Sequence, residues 1–311
     1  MHPNLQRAAI VASLLCSAAH AQSTRPLTCQ QAPLAVQILG SGGPEFDAER
    51  AATGYVVWRH GKALAIVDAG SGTHLRFAQA GGDFNDVQAM FFTHLHADHS
   101  ADFVSYIKSS YFTTRTQALQ VFGPTGNAQL PAMTDHVQHL FAQPGGLYPY
   151  LSDYLKPATQ GSDAYAIQAH NVDANGKSVV ALGNIDGVTV SAISVEHGAL
   201  PAVAWRFDVD GQSVAFTGDM SGLTGHFPKL AHDADLVVAH HAVTWRHVGV
   251  FHLHMPPAVV GELAQASRAK RVVLSHRMRR TIGSEAQSLQ AIREHYAGPV
   301  DFANDLDCYV P

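Results

Sequence analysis

Residues 91–103, FFTHLHADHSADF, put three histidines and an aspartate into the six positions from His94 to His99, directly behind the apolar run Val87–Phe92. The run reads as a buried strand, so the chain must fold with metal-binding chemistry gathered at a strand end. In extended chain His94 and His96 project to the same side and can bind one ion. Asp98 and His99 are adjacent and project apart, which suits a second ion beside the first. One H-x-H pair is weak evidence; the full H-x-H-x-D-H directly after a strand is strong.

Further ligands are expected at other strand ends. SVEHG puts His197 just after an alternating strand, AFTGDM puts Asp219 after another, and VVLSHR puts His276 after a third. The chain carries 20 histidines, as many as Lys and Arg together, so chance supplies one such residue easily and three in order with difficulty. Asp68 ends the Ala63–Val67 run. It has two readings: it accepts a hydrogen bond from a ligand imidazole, or it caps the turn before Gly70. GSGG at 40–43 is followed at once by Pro44 and matches neither nucleotide-binding loop; a tight turn beside the metals is expected.

Strand-like runs cover Leu34–Leu39, Gly54–Trp58, Ala63–Val67 and Leu119–Phe122, with helices expected at Thr73–Ala80 and Ala101–Ser110. From Pro124 to about Gly176 the chain is loop-rich and aromatic, a natural lid over the metals or else a homodimer contact. Alternation returns at Val188–Val195, Val203–Val209 and Val214–Thr217. Strand, helix, strand and helix then follow at Leu236–Ala239, Pro256–Arg268, Arg271–Leu274 and Glu285–Tyr296. Hairpins mixed with αβ units predict an α/β chain with two sheets flanked by helices.

The set resembles the metallo-β-lactamase superfamily, in the branch of ribonuclease Z and arylsulfatase-like hydrolases. LGSGGP (39–44), VDAGSG (67–72), FFTHLHADH (91–99), FTGD (216–219) and LSHR (274–277) carry the resemblance. It implies an αββα sandwich in which His94, His96 and His197 hold one zinc, Asp98, His99 and His276 the other, and Asp219 bridges them. That donor set, without cysteine, agrees with zinc, manganese and iron being the substitutes. Two ions about 3.5–4 Å apart would hold a bridging hydroxide with a pKa brought down toward ~7. FHLHMPP resembles the segment in which a histidine begins a helix and protonates the leaving group. His254 takes that place, with capping or substrate contact as its other readings, and His252 is expected to line the pocket. VVAHHAVTW aligns with a His-Glu motif of the branch, but the second position here is His241; His240 is expected to support the site.

Ribonuclease Z carries a long tRNA-gripping arm between the third histidine and the bridging aspartate, whereas here His197 and Asp219 are only 22 positions apart. With a net charge of −5, the expectation is a small-molecule ester substrate and no nucleic-acid partner. A phosphodiester comes first, arylsulfate, carboxylic ester or lactone next, with dehalogenation behind them. A metal-binding protein without catalysis is the reading from another class. Residues 1–21 read as an export signal: Arg7, an apolar core, and Ala19-His20-Ala21 before cleavage ahead of Gln22. The apolar run is too short for a membrane anchor. A periplasmic or secreted protein follows, and its remaining cysteines, Cys29 and Cys308, are expected either to pair or to stay free.

Overall fold

Alternation along the first strand separates two cores. In β1 (Leu34–Gly40), Leu34, Val36 and Ile38 enter one apolar cluster while Ala35 and Leu39 enter another. β2 (Gly54–Arg59) repeats this, Tyr55 and Val57 against Val56 and Trp58, and β3 (Lys62–Ala69) is buried on both faces too. Strands of that kind need a cover on each side of their sheet. The chain, as a computed structural model, is described over residues 29–156, 165–223 and 225–311; the expected export signal lies outside them.

β1 to β3 form an antiparallel meander that parallel strands β4 (Ala89–Phe91), β5 (Leu119–Pro124) and β6 (Ile167–Val172) extend. The second sheet follows the same plan. β7 (Val180–Ile185), β8 (Val188–His197), β9 (Leu200–Val209) and β10 (Gln212–Phe216) are antiparallel; β11 (Leu236–His240), β12 (Val272–Ser275) and β13 (Val300–Phe302) continue in parallel. The last strand, β14 (Cys308–Tyr309), returns to the first sheet beside β1.

The sheets pack face to face through Phe91, which meets Trp205 at 5.1 Å and Phe207 at 5.0 Å between ring centroids. Helices α1 (Thr73–Gln79), α3 (Phe103–Ser110) and α4 (Met133–Phe141) cover the outer face of the first sheet, with the short α2 (Ala97–Ser100) ahead of α3. Helices α5 (Phe227–Leu230), α6 (Pro257–Ser267) and α7 (Glu285–Arg293) cover the second. This is the expected αββα sandwich, the metallo-β-lactamase fold. The carboxyl ends of β3, β4, β8, β10, β11 and β12 carry the site residues, and ligands of open α/β sheets bind at such ends.

Two features differ from expectation, the 124–176 stretch and four further strands. Within 124–176, α4 and a 3₁₀ turn at Pro149–Leu155 bury Met133, Val137, Phe141 and Leu151 against the first sheet. The middle of that stretch is therefore part of the helix layer, while Asn127 at its start reaches the β8–β9 turn through its amide and the Ala199 carbonyl, 2.8 Å. The strands β6, β7, β13 and β14 were not anticipated; none shows clean burial alternation. As expected, the stretch between His197 and Asp219 holds β9, β10 and their turns.

Cys29 and Cys308 are joined by a disulfide that ties the start of the described chain to β14. Loss of such a bond typically costs about 2–5 kcal/mol. Among the described residues no helix is long and apolar enough to cross a membrane.

Candidate metal centre

β4 ends at Phe91, the chain bends at Thr93, and His96, extended with φ −64° and ψ 152°, precedes α2. Asp98 and His99 fall within α2, where successive side chains turn by about 100° rather than alternating. They therefore converge instead of projecting apart: Asp98 Oδ2 lies 3.6 Å from His99 Nε2. His197 closes β8. Asp219 follows β10 through Gly218, whose φ is +60° and whose Cα packs so tightly on Thr93 that a Cβ would stand 2.7 Å from it. Asp68 and His276 both hold left-handed backbone, φ 56° and 51°. That conformation costs a non-glycine residue on the order of 1 kcal/mol and collects at functional sites.

The seven expected ligand residues meet. His94, His96, His197 and Asp219 form one group of donors, and Asp98, His99 and His276 a second, the donor atoms of each lying within 4.8 Å of one another. Asp219 Oδ2 is 3.8 Å from His94 Nε2, 3.7 Å from His197 Nε2 and 3.6 Å from His99 Nε2. One oxygen thus faces both groups. Oδ1 is held by His240 Nδ1 at 2.7 Å and lies 3.4 Å from His276 Nε2.

Outer partners decide which ring nitrogens face inward. His99 Nδ1 donates to Asp68 Oδ2 at 2.8 Å, and His197 Nδ1 donates to the Leu253 carbonyl at 2.9 Å. Thr93 Oγ1 gives its proton to Asp68 Oδ2 at 2.8 Å and takes that of His94 Nδ1 at 3.1 Å. Each arrangement leaves an Nε2 lone pair for the centre, the usual role of carboxylate and carbonyl partners behind ligand imidazoles. The buried Nε2 atoms of His99, His197 and His276 have no hydrogen-bond partner. Orphaned nitrogens around a shared carboxylate fit a cation better than any protein donor.

Electrostatics agree. Burial pushes His94 well below its usual pKa and brings His197 down to about 4, so both are neutral, the ligand form. Burial also opposes charge on His99 and His276, yet Asp68, Asp98 and Asp219 raise His99, and Asp219 and Asp98 raise His276. Burial alone would raise the two central carboxylates; instead His276 and His254 hold Asp219 well below its usual range, and His99 and His276 bring Asp98 down to about 2. Two buried anions thus demand positive charge, which a bound cation supplies in exchange for protons.

Asp68 also accepts the Thr93 backbone N–H at 2.8 Å, so it ties three donors together and does more than cap a turn. His240 is fully engaged, Nδ1 on Asp219 and Nε2 3.0 Å from the Tyr55 hydroxyl; burial lowers its pKa to about 3. His241 points away to Ser288 Oγ, 2.8 Å. His254 stands at the centre's edge with a buried Nδ1, without a hydrogen-bond partner, 3.5 Å from Asp219 Oδ1. His252 is exposed and its carbonyl accepts the Gly198 N–H at 3.0 Å, beside His197. The 40–43 turn packs on the site: a Cβ on Gly43 would stand 2.7 Å from His276 Cε1. Tyr55 and Thr93 were missed in sequence. Tyr55 sits in an apolar strand and looks like core; Thr93 is flagged only by its place between strand and cluster.

Residues 65–277 match the beta-lactamase superfamily domain. The chain belongs to that superfamily. It is a metal-dependent hydrolase of ester bonds, with relatives named ribonuclease Z. A ribonuclease Z of Mycobacterium sp. (strain KMS) is 30% identical over 253 residues, 78% of this chain and 83% of the relative. Two solved structures share the fold. The metallo-beta-lactamase fold protein YhfI of Bacillus subtilis has a TM-score of 0.69 at 18% identity, covering 89% of this chain and 99% of its own. The short form of human tRNase Z has 0.68 at 20%, covering 89% and 98%.

The superfamily relatives correct one expectation. Nucleic acid was excluded as a partner on the missing arm, the export signal and the net charge, but a relative this similar over most of both chains is named for acting on RNA, and the exclusion falls. Net charge is a whole-chain average and does not report the local field at a cleft.

Proposed function

We propose that the chain is an exported hydrolase of phosphodiesters that works with two divalent ions, zinc first and manganese or iron as substitutes. The observation that carries the reading is Asp219 Oδ2, one oxygen shared between two groups of histidine and aspartate donors. His94, His96 and His197 would hold one ion, Asp98, His99 and His276 the other, with Asp219 common to both. Ions in such a pair supply Lewis acidity and a nucleophile at neutral pH, clamping the attacking and leaving oxygens of a phosphodiester.

The chain's own side chains do the rest. Asp68 and Thr93 fix the rings of His99 and His94. Tyr55 donates its hydroxyl proton to His240, whose Nδ1–H then holds Asp219 Oδ1 and leaves Oδ2 turned inward. His254 delivers a proton to the leaving oxygen, and His252 lines the approach. The phosphodiester is carried on a small molecule or on a nucleic-acid strand; the relatives named ribonuclease Z support keeping both.

Metal analysis with a substrate panel tests this. The purified protein should contain about two divalent ions per chain, lose activity with chelator and regain it with zinc or manganese. It should cleave bis(nitrophenyl) phosphate, a cyclic nucleotide or a short RNA faster than an aryl sulfate, a carboxylic ester or a lactone. One ion or none in active protein sinks the paired-ion reading, and a panel led by sulfate or lactone sinks the phosphodiester.

Export is supported by the A-x-A site and by the Cys29–Cys308 bond, since disulfides persist in oxidising compartments. Protein recovered from the periplasm or medium should begin at Gln22 and show no titratable thiol when denatured without reductant. An intact Met1 end on that material would count against it.

A further inference from the structure

His94, His99 and His197 are each oriented through Nδ1, by Thr93, Asp68 and the Leu253 carbonyl. His276 is not. Its Nδ1 is buried without a hydrogen-bond partner, on a backbone held at φ 51°. A ligand ring is normally fixed by a partner behind it, so here packing has to fix it. The 40–53 loop supplies that packing. One arm of the loop lies on His276: a Cβ on Gly43 would stand 3.1 Å from Nδ1, and the Ser41 carbonyl accepts the Arg277 N–H at 2.6 Å, one residue beyond the ring. The other arm reaches Asp98. The Thr53 carbonyl accepts the Gly70 N–H at 2.8 Å, and Gly70 packs so closely that a Cβ there would stand 2.1 Å from the Asp98 carbonyl oxygen. The arms are also joined to each other, Gly42 N–H to the Ala51 carbonyl and Thr53 Oγ1–H to the Gly42 carbonyl, both at 2.9 Å.

A single carboxylate closes this loop. Asp305 Oδ1 accepts the backbone N–H and the hydroxyl of Ser41 at 2.9 and 2.8 Å. Its Oδ2 accepts the Ala51 N–H at 2.8 Å and Arg76 Nε–H at 2.9 Å. Four donors fill the acceptor capacity of a carboxylate, and the side chain is only 7% exposed. Asp305 stands in the connection from β13 of the second sheet to β14 of the first. His276 follows a strand of the second sheet and Asp98 a strand of the first, so the clamp sits where the two halves of the donor group are brought together.

We propose that Asp305 is a positioning residue for the second donor group. By holding both arms of the 40–53 loop it fixes His276 and Asp98 and sets the affinity of the ion they hold with His99. The ion of His94, His96 and His197 does not depend on it, because His94 and His197 have their own partners in Thr93 and Leu253. The proposal rests on the paired-ion reading of the centre.

Zinc calorimetry on protein stripped with chelator tests this. The wild type should show two binding steps, and the step that His276→Ala removes belongs to the second group. Asp305→Asn keeps the shape but presents an amide N–H₂ to donors on one arm, which is then released. The marked step should weaken by about 10–100-fold, the usual cost of losing a partner behind a ligand, while the other step stays as it was. Ser41→Ala removes one donor of the four and should weaken the same step by less. Arg76→Ala takes the ion pair from the same carboxylate, leaves both arms held, and should change neither step. A general loss of stability cannot weaken one step alone. Equal weakening of both steps in Asp305→Asn, or none in a variant with native circular dichroism, overturns the clamp; so does an Arg76→Ala protein that matches Asp305→Asn. If Asp305→Asn does not fold, Ser41→Ala decides: selective weakening of the marked step supports the clamp and its absence overturns it. A single step in the wild type sinks the paired-ion reading and the clamp with it, whereas two steps that Asp305→Asn leaves unchanged sink the clamp alone.

Discussion

Asp219→Ala is expected to lose activity by more than about 10³-fold and to retain at most one ion per chain. Loss of a partner behind a ligand costs about 10–100-fold in metal affinity or activity. Asp219 is more deeply placed than such a partner, because the same Oδ2 faces His94, His197 and His99. Without it each group keeps three donors but the two are no longer joined, and the carboxylate charge that offsets His99 and His276 is gone. The fold should survive, since β10 is anchored by Val214, Ala215 and Phe216 in the apolar clusters on its two faces. Asp219→Asn gives the control: the amide oxygen still accepts from His240 Nδ1, so packing is kept while the charge is removed. Circular dichroism and metal analysis on both variants separate misfolding from lost ligation. Near-native turnover in a folded Asp219→Ala protein would refute the shared-carboxylate assignment.

What the sequence made legible follows from how the site is built. His94, His197, Asp219 and His276 each end an apolar run, and a polar residue at that position has no packing role to hide behind. The sandwich was legible in part for the same reason: strands buried on both faces read as continuous apolar runs, and hairpins mixed with αβ units pointed to two sheets. Tyr55 was not legible, because its ring is core and only its hydroxyl belongs to the site, 3.0 Å from His240. The convergence of Asp98 and His99 was hidden because it depends on a single helical turn, and a four-residue helix leaves no periodicity to read. β7 failed for another reason: its residues are half-buried or exposed, so no apolar alternation marks it. The mistaken exclusion of nucleic acid came from a missing arm, an export signal and a whole-chain charge, none of which reports the field of one cleft.

His254→Ala should leave metal content unchanged, because both donor groups are complete without it. If His254 protonates the leaving oxygen, turnover of a diester with an alkoxide leaving group should fall by on the order of 10²–10⁴-fold, the range of general acid catalysis. A nitrophenolate needs little protonation and should lose less than about 10-fold. The geometry narrows the alternatives. His240 has both ring nitrogens committed, to Tyr55 and Asp219, and is buried too deeply to meet substrate. His241 faces Ser288. Of the three histidines near the end of β11 and the start of α6, only His254 keeps a ring nitrogen without a hydrogen-bond partner beside Asp219. Equal losses on the two substrates would mean that His254 positions substrate and is not the acid. Loss of an ion on substitution would mean that its Nδ1, 3.5 Å from Asp219 Oδ1, is itself a ligand. With His240 held on both ring nitrogens by Tyr55 and Asp219 and His241 turned away to Ser288, the proton for the leaving group would then come from His252 or water.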